Sequence, residues 1–138
     1  MLENVQISIH QRKIDKMYSE ISELRKAISD TEQIVNNFQK SADKLFTARD
    51  NMHGLVSSAS SYAGELKMAS GIKRILNRII DGAAFSDAMN GVNGSLSDSK
   101  NKISDYQNGI KELQKKIEME SSAIRTLQQK MMEEENNG

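Results

Sequence analysis

The sequence predicts an all-α protein: a long antiparallel helical hairpin, coiled-coil-like, with a short helix in the connector at the tip. Three observations lead there. Two heptad arrays of nearly equal length run along the chain, no proline interrupts either of them, and a stretch rich in glycine and serine separates them. Apolar residues recurring every 3.5 positions keep one stripe of a helix on a partner helix. Two matched stripes in one chain suit two arms that cover each other.

With 138 residues, 37% hydrophobic and 28% charged, the chain fits one folded domain. Aromatic residues make up 4% and tryptophan is absent, so a thin aliphatic seam must do most of the burying. The expected division is a first arm over about 4–52, a connector over about 53–84, a second arm over about 85–132 and a frayed tail at 133–138.

In the first arm the a positions are Ile7, Ile14, Ile21, Ile28, Val35, Ala42 and Arg49. The d positions are His10, Met17, Leu24, Thr31, Phe38, Leu45 and Met52. Eleven of these fourteen sites are apolar, where the overall composition would supply about five. His10 at d is expected as an uncharged imidazole in the seam near the open end, and His53 marks the expected stop of the first helix.

The connector holds Gly54, Gly64, Gly71 and Gly82 and the serines Ser57, Ser58, Ser60 and Ser61, which break the heptads. Within it, Ile72, Ile75, Leu76, Ile79 and Ile80 fall at helical spacing, with Asp81-Gly82 as a stop, so a short helix capping the tip is expected. Its cations Lys73, Arg74 and Arg78 stand off the apolar stripe. Three cations on about ten residues are sparse for holding an anionic lipid surface.

The second arm carries Met89, Leu96, Ile103, Ile110, Ile117, Ile124 and Met131 at a. Val92, Ser99, Tyr106, Leu113, Glu120 and Leu127 stand at d. Asn90-Gly91 and Asn93-Gly94 favour turns, so within the arm of about 85–132 the start of the helix is left open and the heptads secure it from about Leu96. Gly109, at g, reads as a tolerated surface glycine or as a place where a neighbouring helix approaches closely. Laid antiparallel so that facing numbers sum to about 138, the arms would bring Phe38 to Ser99, Thr31 to Tyr106, Met17 to Glu120 and Leu24 to Leu113.

Function follows mainly by exclusion. Acidic and basic residues number 19 each and are interleaved, so no field draws in a nucleic-acid backbone. With no cysteine and only His10 and His53, neither a disulfide framework nor a usual zinc site is expected. Motifs for phosphate, dinucleotide, acyl or zinc chemistry are missing. The carboxylates read as solvated helix faces. The expectation is a protein that is not an enzyme and that takes no cofactor or metal. Met1 to Lys13 does not read as a secretory leader, which implies synthesis ending in the cytoplasm. No apolar run is long enough to span a bilayer, so stable membrane insertion is not expected.

Apolar residues beside the seam point to binding. Tyr18 and Phe46 at e, with Ala27, Ile34 and Ala123 at g, widen the stripe beyond what two helices cover. Tyr18, Ile34 and Phe46 are therefore the expected partner-binding residues. Asp50 joins them because Phe46-Thr47-Ala48-Arg49-Asp50 places ring and carboxylate one helical turn apart. The connector helix could hide Phe46, and Tyr18 and Ile34 less readily.

A hairpin of this length, with Tyr62-Ala63-Gly64 at a small-residue tip, resembles the WXG-type helical proteins of bacterial type VII secretion. Tyr62 and Gly64 stand where the W-x-G motif would be, with tyrosine in place of tryptophan. The layout is most similar to the YwqH-like proteins associated with LXG toxins. No C-terminal Y-x-x-x-D/E export signal occurs. Phe46-x-x-x-Asp50 also matches a pattern seen in some toxin-associated partners. The resemblance implies a targeting factor or chaperone that binds the helical N-terminal domain of a secreted toxin, alone or beside a second small helical partner, and that is exported with it. Two other readings stay open: a self-associating structural coiled coil forming a homodimer, and a prefoldin-like holding chaperone, which needs β-hairpins between its arms.

Overall fold

The computed structural model describes the backbone of residues 1–62, 67–80 and 82–138, with side chains for 1–58, 71–79 and 82–138. Three helices occur among the described residues, and no strand: α1 (Leu2–Tyr62), α2 (Lys67–Ile80) and α3 (Ala83–Asn137). The chain is an all-α helical hairpin in which α1 and α3 are the arms. It divides into two compact units, one made of residues 1–31 and 101–138, the other of residues 32–100.

The first unit pairs the start of α1 with the end of α3. Its core is Ile14, Ile21 and Ile117, exposed by 6, 3 and 6%, with Met17, Ile110, Leu113 and Ile124 packed against them. Every a and d residue of this unit is buried or half-buried, as the heptads require. No large side chain is fully enclosed among the described residues, because in a two-helix contact the outer half of each helix stays wet. Glu3 lies 3.9 Å from Lys130 and 3.6 Å from the N-terminal amine. A hydrogen bond to its own backbone amide, with those two cations, holds its carboxyl below the ordinary range.

The register differs from the expected one by about one helical turn. Gly109 stands against Leu24 and Glu120 approaches Lys13, so facing numbers sum to about 133 instead of 138. The reason is geometric. From a to d is three residues and from d to a is four, so reversing one helix keeps the layers level only if a faces d. A sum near 138 would set a against a and d against d, leaving alternate layers out of level by one residue. Glu120 is accordingly hydrogen-bonded to His10 Nδ1, with Lys13 Nζ at 4.0 Å. Thr31 satisfies its hydroxyl on its own helix, donating to the Ala27 carbonyl at 2.7 Å.

In the second unit, Val35, Ala42 and Met89 are buried. Here α1 continues ten residues beyond the expected stop at Met52. Val56 extends the a series one heptad and is half-buried, and that layer offsets the cost of about 1 kcal/mol for a helical Gly54. Similarly α3 begins at Ala83, close to the expected start of the second arm near 85 and with the open stretch before Leu96 helical, because Phe85, Met89 and Val92 place a and d side chains in the seam on either side of Asn90-Gly91. The tail expected to fray is helical to Asn137.

Between α2 and α3 the chain turns at Gly82. A β-carbon there would fall 2.2 Å from the Arg78 carbonyl oxygen, a distance no side chain tolerates. The Gly82 carbonyl accepts from the Ser86 amide at 3.5 Å, opening α3. The expected short helix is present as α2, longer at its start than the isoleucine stripe alone indicates.

Candidate functional site

In the first unit, Tyr18 is 59% exposed. As an e residue it stands beside the seam, lining a shallow groove with Ile21 and Arg25 of α1 and Gln114, Ile117 and Glu118 of α3. The opposite flank of the same unit is mixed in character. Lys13, Glu20 and Lys116 border Met17, Leu113 and Met119 there, and Met119 is 72% exposed. Ala27 and Ala123 are half-buried, so these two g residues are largely absorbed by the hairpin.

In the second unit, Ile34 and Phe46 are 46 and 47% exposed. They stand at g and e, on opposite flanks of the α1 seam, because twelve residues along a helix do not return to the same side. The connector does not hide Phe46. It borders a groove with Arg49 of α1 and Phe85, Met89 and Asn93 of α3. Asp50 is exposed one turn beyond Phe46 on the same continuous helix. Tyr62 is the last residue of α1, and its side chain, like the whole of Gly64, lies outside the described residues.

Two residues organise the Phe46 groove without having been singled out by the sequence. Arg49 occupies an a position, which would bury a charge, yet its guanidinium lies over the Phe85 ring at 5.4 Å from the centroid. Its Nε also donates to His53 Nε2 at 3.4 Å. Phe85 lies four residues before Met89, and extending the second heptad array by one step would have placed it at d. A neighbouring groove, lined by Leu45, Met52, Ile79, Phe85 and Ala88, brings α2 against both arms.

Chemically, these surfaces offer apolar edges flanked by scattered charge, which can seat helices. Among the described residues no group of three acidic, histidine or cysteine side chains is placed to hold a metal ion. No described helix is long and apolar enough to cross a membrane. No protein-family model, curated protein or solved structure matches the chain.

Proposed function

We propose that this chain is a non-catalytic helical binding partner, acting as targeting factor or chaperone for an LXG-type toxin of type VII secretion. It would work in the cytoplasm and leave the cell with its cargo. The observation that carries the reading is the exposure of Tyr18, Ile34 and Phe46 beside a seam that two helices already fill. Such margins are buried when a helical hairpin joins other helices in a bundle. The toxin as the partner rests on the resemblance in layout and on Tyr62-Ala63-Gly64 and Phe46-x-x-x-Asp50.

Mass measurement of the chain alone, and mixed with the helical N-terminal domain of a neighbouring toxin, tests the proposal. A heteromer should form, and Phe46→Ala with Ile34→Ser should weaken it at least tenfold while helicity is retained. Because the two residues flank opposite sides of α1, each single variant also reports on its own side. A stable homodimer indifferent to the toxin domain would favour the structural coiled coil instead.

A further inference from the structure

The cap expected of α2 leaves much of its apolar stripe open. Ile72, Ile75 and Ile79 are 45, 60 and 47% exposed, while Lys73, Leu76 and Asn77 are half-buried. The helix therefore meets the rest of its unit along one edge and presents isoleucines at i, i+3 and i+7 toward solvent, the last of them, with Arg78, on the rim of the groove shared with Leu45, Met52 and Phe85. Arg74 and Arg78, both exposed, lie along the border of that open stripe.

Sparse as the cations are by number, their placement beside an open apolar stripe identifies the occupant. The full span of α2 adds Lys67 to Lys73, Arg74 and Arg78, giving four cations in fourteen residues with no acid among them. This contrasts with the balanced charge of the whole chain. A short amphipathic helix with apolar and cationic faces, and low mean hydropathy, has the composition of an element that lies in the plane of a bilayer interface. Its arginines can reach headgroup phosphates while their stems cover the edge of the apolar stripe.

We propose that α2 is a peripheral membrane-docking element that seats Ile72, Ile75 and Ile79 at the surface of an anionic bilayer and binds its headgroups through Arg74 and Arg78. The docking is interfacial, without a spanning segment, and independent of the toxin-partner reading.

The chain has no cysteine, so Ile75→Cys gives a single attachment point for an environment-sensitive fluorophore on the full-length protein. Vesicles of phosphatidylcholine containing about one-third phosphatidylglycerol should shift its emission to the blue and co-sediment the protein. Pure phosphatidylcholine vesicles should do neither. Arg74→Gln with Arg78→Gln should weaken the vesicle association about tenfold or more, as should high salt. Both arginines are exposed, and an unchanged circular dichroism spectrum will show that the fold is kept. A probe at exposed Asp30→Cys should stay unshifted. Equal binding to neutral and anionic vesicles, or no binding to either, would overturn the proposal. So would a fluorophore at residue 75 that responds only to an added toxin domain, since the occupant would then be protein.

Discussion

Replacing Gly91 and Gly94 together by alanine tests most directly whether α3 forms where local turn signals oppose it. Both glycines lie in helix, neither has positive φ, and a β-carbon at either would meet nothing within 4 Å. The substitution therefore adds no clash and removes only the helix-propensity deficit of glycine. That deficit is about 0.8–1 kcal/mol per site, so the double variant should gain about 2 kcal/mol. With a urea dependence of about 1–3 kcal/mol per molar, the unfolding midpoint should rise by roughly 1 M. Urea titration followed at 222 nm reads this directly, and the signal before the transition should not fall. An unchanged or lowered midpoint would mean that residues around Asn90 to Gly94 are not helical in the folded protein, and the early start of α3 would be wrong.

Gly82→Ala should move stability the other way, by about 1–3 kcal/mol, because its β-carbon would collide with the Arg78 carbonyl; a neutral result in the same titration would remove the tight turn between α2 and α3. The register is checked by cysteine pairs: Leu24→Cys with Gly109→Cys should cross-link faster than Leu24→Cys with Leu113→Cys, since a β-carbon at 109 lies 3.4 Å from Leu24. The reverse order of rates would restore the register in which a faces a.

Much of the fold was legible because heptad periodicity is a local property that long helices obey along their whole length. All a and d residues from Ile7 to Met52 and from Met89 to Met131 are buried or half-buried. Local signals failed at the ends. Gly54, Gly91 and Gly94 each argue for a break by about 1 kcal/mol, and the layers formed by Val56, Phe85 and Val92 outweigh that cost. Of the candidate surface, Tyr18, Ile34 and Phe46 could be found from their positions beside the stripe. Arg49 over Phe85 could not, since an arginine at a reads as a defect until the ring that receives it is known.

The sequence by itself determined that this is an all-α hairpin with aliphatic arms and an amphipathic connector helix, because a 3.5-residue period and the absence of proline admit little else. Tertiary structure alone decided which layer faces which, how far each helix runs, and which edge of α2 is covered. Those outcomes depend on contacts between residues far apart in the chain, and His10 with Glu120 shows it: two polar d residues that read separately as flaws in their stripes are each other's partner once the arms close.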